Sequence, residues 1–241
     1  MKLIDFDDPN TISAEIFNTV NDFKNDLKTC ITDNRNISLP YNLREKIKSK
    51  MPFLDEYEMT GWHHTRVVDI QDMSKNGIVK PDINNTPKLL KSIAERLEFD
   101  KASTDYLINK CLKLYNTQSS RIGKIYFTSR YLPTPEYKKF MLIIGGEALE
   151  RSLCDDLKNE PFIKLADYGV PVGIKFKYNY KDVFAVDKDV IVDALIKYVY
   201  TKESKVLMFD AAITQSVLPN DILLTKISEN VPYYFSDEPF E

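Results

Sequence analysis

The chain is poor in the residues that most directly announce chemistry. Its 241 residues hold two histidines, three cysteines, one tryptophan and seven glycines. Cys30, Cys111 and Cys154 are widely spaced and odd in number, so they form neither a paired metal-ligand motif nor a disulfide framework. No apolar run approaches a membrane span; "FMLIIGG" is the longest and is far too short. The first residues, "MKLIDFDDPN", are acidic where a signal peptide needs an apolar core. Charge of one sign is missing too: the net charge of −3 matches neither a basic nucleic-acid arm nor an acidic tail. These absences make a soluble protein of a reducing, cytoplasmic compartment the expectation, with no metal site and no membrane partner.

What is present is ordinary globular material, 43% hydrophobic and 29% charged, in a length that buries a sizeable core as one large domain or two small ones. The stretch 10–31 has Ile16, Phe17, Val20, Phe23, Leu27 and Ile31 on one helical face, with Thr11 or Ser13 as cap. A shorter helix, "YNLREKIKSKM", stops at Pro52. Beyond Thr60 the pattern changes. "GWHHTRV" suits a strand, and "VDIQDMSKNG" suits a helix capped by Asp69 and closed by Gly77. Thr86 and Pro87 signal the start of another helix, and "ASTDYLINKCLKLYN" carries a stripe of Tyr106, Leu107, Cys111 and Leu114. "GKIYFTS" is a strand, residues 133–157 read as helical with a bend at Gly145–Gly146, and Ile174, Phe176 and Tyr178 alternate with Lys175 and Lys177 in a further strand. A helix over 187–202 and two closing strands, 204–213 and 220–228, complete the chain. Helices and strands without a βαβ rhythm predict an α+β fold.

Both histidines stand side by side, at His63 and His64. Adjacent residues of a strand point to opposite faces, so the pair is a poor chelate. Alternation puts His63 and Thr65 on one face and Trp62, His64 and Arg66 on the other. An imidazole and a hydroxyl on one face form a small hydrogen-bonding platform suited to ribose hydroxyls and an amide. The competing reading is one packed and one exposed histidine with no role in binding.

The run His63-x-Thr65-Arg66, then Ile70 and Met73 on a helix, then Gly77-Ile78, resembles the first motif of the ADP-ribosyltransferase superfamily. That superfamily includes the poly(ADP-ribose) polymerases and the DNA-modifying toxin transferases. The resemblance implies a split β-sheet core over residues 58–241, preceded by a helical cap or subdomain over 1–57. It implies NAD as substrate, with His63 and Thr65 holding it and Arg66 a second-rank clamp on the pyrophosphate. "GKIYFTS" is similar to the family's second motif and nominates Tyr126 as the ring stacked on the nicotinamide, with Tyr131 and Tyr137 as rivals. The family's catalytic glutamate on a late strand has no clear counterpart. "SVLPNDILLTKIS" offers Asn220 and Asp221, with no glutamate before Glu229, whereas "IIGGEALERSL" offers Glu147 after two glycines. Glu147 and Asp221 are therefore the candidate catalytic carboxylates.

Two functions of different class follow. The first is an NAD-dependent transferase that passes ADP-ribose to a protein or nucleic-acid acceptor, in the manner of toxins or phage-defence effectors. The second is a non-catalytic binding, immunity or sensor protein on the same fold, with a partner or antitoxin protein. A phosphotransferase-like reaction on RNA is a weaker third, since the first motif lacks the several basic residues it would want.

Overall fold

A computed structural model describes residues 2–30, 39–117, 123–131, 153, 155–166 and 168–227. Its strands are β1 (Lys2–Ile4), β2 (Tyr57–Val67), β3 (Ile125–Thr128), β4 (Val170–Asn179), β5 (Asp210–Ile213) and β6 (Ile222–Ile227). The helices are α1 (Ala14–Asn21), α2 (Lys24–Cys30), α3 (Tyr41–Lys48), α4 (Ile70–Asn76), α5 (Asn85–Arg96), α6 (Lys101–Thr117), α7 (Ile163–Ala166) and α8 (Ala185–Thr201). The strands follow the hydrogen-bonded order β5-β3-β2-β4-β6, with β1 also on β2. The fold is α+β.

Two compact units make up the chain. One compact unit comprises Met1–His63, Tyr126–Tyr131 and Lys175–Gln215; the other comprises His64–Ile125, Leu132–Ile174 and Ser216–Glu241. The N-terminal helices belong to the first of these units. β1 pairs in parallel with the start of β2, Lys2 opposite Tyr57, and Phe17 of α1 meets Tyr198 of α8 edge-on at 6.2 Å. Long-range apolar packing, invisible in local periodicity, recruits them to the first unit.

In this unit Phe127, Phe176 and Tyr178 form an aromatic cluster, with ring centroids 4.6–5.8 Å apart. The alternation expected of 174–178 is present: Ile174, Phe176 and Tyr178 are buried. Among the described residues the enclosed Tyr178 hydroxyl has no hydrogen-bond partner, and burial raises its pKa well above the usual tyrosine value. An unsatisfied buried hydroxyl carries its full desolvation cost. Tyr178→Phe is therefore expected to raise the unfolding free energy by about 1 kcal/mol in denaturant titration; a loss of stability would contradict the orphan assignment.

The helix expected over 10–31 is two helices. The Asp22 and Phe23 amides close the end of α1 on Asn18 and Val20, and α2 restarts at Lys24. Ser13 is the N-cap residue but makes no side-chain cap; its Oγ accepts from the Tyr57 hydroxyl at 2.7 Å.

In the second unit, α5 and α6 enclose an apolar core of Leu90, Ile93, Leu107, Cys111, Leu157 and Leu165 among others. Thr86 is not the α5 cap. The Asp82 carboxylate accepts from the amides of Asn84 and Asn85, and Thr86 instead accepts from the Tyr115 hydroxyl at 2.5 Å. Tyr106 leaves the predicted stripe, and Tyr115 takes its place in the core. Among the described residues no helix is long and apolar enough to cross a membrane.

Candidate functional site

β2 runs for 11 residues, four before the segment that the sequence reading marked as a strand. It pairs antiparallel with β3, Trp62 lying opposite Thr128. Residues directly opposite share a face, and successive residues alternate. Thr128 and Tyr126 therefore lie on the face of Trp62, while His63 and Phe127 lie on the other. Packing agrees with this assignment. The Phe127 ring covers Gly61 so closely that a Cβ there would sit 2.4 Å from Phe127 Cδ2. The Trp62 indole, on the opposite face, donates to Asp7 Oδ2 at 2.8 Å and stacks at a tilt on Tyr131, 4.7 Å away.

This separates two residues that the sequence reading combined. The Tyr126 side chain is 43% exposed and projects from the face opposite to the His63 imidazole. Tyr131, the rival aromatic, sits on the Trp62 face as well, and its amide donates to Asp7. Neither ring shares the His63 face. A stacking role for Tyr126 beside His63 is thus opposed by the strand register, which a motif match does not reveal.

Tyr126 reaches His63 through its main chain instead. His63 Nδ1 lies 2.8 Å from the Tyr126 carbonyl oxygen. A carbonyl only accepts, so Nδ1 carries the hydrogen and Nε2 of the neutral ring keeps a lone pair. His63 is half-buried, and enclosure by protein lowers its pKa from the usual value, against the smaller upward pull of the Tyr126 carbonyl. The imidazole is therefore neutral at physiological pH, with a fixed tautomer and an acceptor nitrogen that no donor among the described residues occupies. A main-chain acceptor leaves no trace in residue identity, which is why the sequence did not reveal this partner.

The second unit holds the other nominated residues. Thr65 is half-buried, and its hydroxyl points at the Arg66 carbonyl at 3.4 Å. Arg66 is buried, and a guanidinium nitrogen donates to the Gly169 carbonyl at 2.7 Å. Part of its donor set is thus spent on main chain. α4 is built as its sequence signals require. The Asp69 carboxylate accepts from the Gln71 amide at 2.8 Å, Met73 is buried, and Gly77 ends the helix at φ 73°. Beyond it, Ile78 forms an antiparallel bridge with Val217. Asp221 closes the 3-10 turn Pro219–Asp221, which packs on α4 directly before β6. α4 and the turn that leads into β6 thereby meet in this unit. Glu147, Tyr137, Glu229 and Cys154 lie outside the described residues.

Lys175, which alternates with the apolar residues of β4, is largely buried. Its ammonium lies 2.7 Å from Asp5 and 2.9 Å from Asp7, above the Trp62 ring, and only 12% of its side chain is exposed. Thr60 donates to Asp5 as well. This network pins residues 5–7 onto the Trp62 face of the sheet. Its signal, aspartates at positions 5 and 7 and a lysine at 175, is too distant in sequence to read.

Among the described residues no three His, Cys, Asp or Glu side chains gather as metal ligands. No protein-family model matches the chain, and neither a curated protein nor a solved structure is significantly similar to it.

Proposed function

We propose that the chain is an NAD-dependent ADP-ribosyltransferase acting on a protein or nucleic-acid acceptor. The observation that carries the reading is the state of His63: neutral, held by the Tyr126 carbonyl through Nδ1, with Nε2 left to accept a hydrogen bond. Such an acceptor suits a ribose hydroxyl of the nicotinamide nucleoside. In the reaction the bond between the ribose C1′ and the nicotinamide nitrogen breaks, its electron pair leaves with nicotinamide, and the sugar gains oxocarbenium character before the acceptor attacks. Fixed polar groups stabilise that developing charge. In this reading His63 and Thr65 orient the nucleotide, Arg66 is a subsidiary donor, and Glu147 or Asp221 supplies the carboxylate. The Tyr126 ring has no part in it, since its face is the opposite one from His63.

A specific observation favours a second reading. With Tyr126 and Tyr131 both on the Trp62 face, no nominated tyrosine among the described residues shares the His63 face, as a non-catalytic binding or immunity protein on the same fold would allow. Nicotinamide release from NAD by the purified protein separates the two. The transferase reading expects release, reduced about tenfold by His63→Ala through loss of one hydrogen bond to the nucleotide. Absence of release together with absence of NAD binding by calorimetry leaves the binding-protein reading standing, and His63→Ala is then without biological effect.

A further inference from the structure

A second feature of the first unit is independent of His63. A cleft of about 110 Å³ opens between α1, the start of α2 and the last turn of α8, with Asn21, Lys24, Leu27, Tyr200 and Lys202 on its walls. Its volume is several times the roughly 30 Å³ share of a single water. Lys24 and Lys202 are both among its lining residues, and among the described residues neither ammonium is paired with a carboxylate. Burial, and then the charge of Lys24, push the Lys202 pKa below its usual value, so the two cations sense each other.

Lys202 occupies its place at a cost. It is the C-cap of α8 in the left-handed region, φ 62° and ψ 14°, where glycine is the favoured residue. Its amide donates to the Tyr198 carbonyl at 2.7 Å, satisfying one of the helix-end acceptors near the cleft. Its ammonium stands 3.8 Å above the centre of the Phe17 ring, which sets its direction. Backbone strain and like-charge repulsion thus coincide at one residue that glycine would replace without either. Strain at a polar cleft points to a ligand that repays it.

We propose that this cleft binds a phosphate-class oxyanion between the ammonium groups of Lys24 and Lys202. An oxyanion supplies the counter-charge that the pair lacks, and ammonium groups bind phosphate as point charges without a fixed fork geometry. Both side chains are exposed, so solvent and salt screen the contacts and weak binding is expected.

Thermal unfolding of the full chain tests this, with inorganic phosphate titrated at constant ionic strength against chloride. A saturable rise in Tm is expected for the wild type. Lys202→Gly is expected to keep or raise the Tm without phosphate, since it removes the strain and the repulsion, and to abolish the phosphate-dependent rise. Lys24→Gln is expected to weaken that rise at least threefold in midpoint concentration. A parallel arm with phenyl phosphate distinguishes sources: a response to both ligands identifies a phosphate monoester, and a response to the inorganic ion alone identifies free phosphate. The proposal is overturned if the wild type responds to phosphate no more than to chloride, or if Lys202→Gly retains the full response. Neither result depends on NAD binding.

Discussion

Replacing Gly77 by alanine is expected to lower the unfolding free energy by about 3–5 kcal/mol, the sum of a glycine-only backbone conformation and a lost pair of hydrogen bonds. Gly77 has φ 73° and ψ −162°, a region closed to residues with a Cβ. The added Cβ would lie 2.0 Å from the Val217 carbonyl oxygen. That oxygen accepts from the Ile78 amide at 3.0 Å, and the Val217 amide donates back to Ile78 at 3.0 Å. The alanine therefore has to push apart the bridge that joins the end of α4 to the segment leading into β6. Hydrogen exchange gives the local reading: the Ile78 and Val217 amides should lose protection first. Wild-type protection at both, with unchanged stability, would show that the close approach of Val217 is not real.

The second large effect is expected at Lys175. Lys175→Met leaves the Asp5 and Asp7 carboxylates facing each other over Trp62 with no cation between them. Breaking one partner of a buried charge cluster costs about 3–5 kcal/mol, and the partial exposure of both aspartates reduces this to about 2–3 kcal/mol. The pH dependence provides a signature that lost packing does not mimic. In the wild type, burial pushes the Asp7 pKa up, but hydrogen bonds from Lys175 and Trp62 and the charge of Lys175 outweigh it and hold the carboxyl below its usual value. A depressed carboxylate stabilises the fold above its unfolded pKa, and that stability is lost as pH falls through the folded one. Burial lowers the Lys175 pKa, while its bonds to Asp5 and Asp7 raise it further, leaving it above the usual lysine value. Its contribution is complete below the unfolded lysine pKa and is lost as pH rises through the folded one. In Lys175→Met the sign at acid pH reverses: protonation relieves the repulsion, so stability rises as pH falls toward 4. Denaturant midpoints at several pH values measure it, and a mutant that loses stability on acidification in parallel with the wild type would exclude the ion cluster as the cause.

The parts of the fold that the sequence conveyed are those decided within a few residues. The Asp69 cap, the glycine end at Gly77 and the alternation through Ile174, Phe176 and Tyr178 each follow from one local geometry and are present as read. Thr86 shows the limit of the same reasoning. A threonine before a proline is a sound cap signal, but the helix already begins at Asn85, and the Asp82 carboxylate accepts from the Asn84 and Asn85 amides that lead into it. Tyr106 and Tyr115 differ similarly, since both fit the helical stripe and only the packing of α6 chooses between them.

By itself the sequence determined the α+β character, the strand and helix around the two histidines, and the alternation that sets His63 apart from Trp62. The tertiary structure decided what His63 faces and who its partners are. Antiparallel pairing of Trp62 with Thr128 sends the Tyr126 ring to the far face and brings its carbonyl to the imidazole, while Lys175 finds Asp5 and Asp7 from 170 and 168 residues away. Strand register and charge pairing at that separation depend on how distant segments pack, and a one-residue shift in register exchanges every face, so no local pattern of residues carries them.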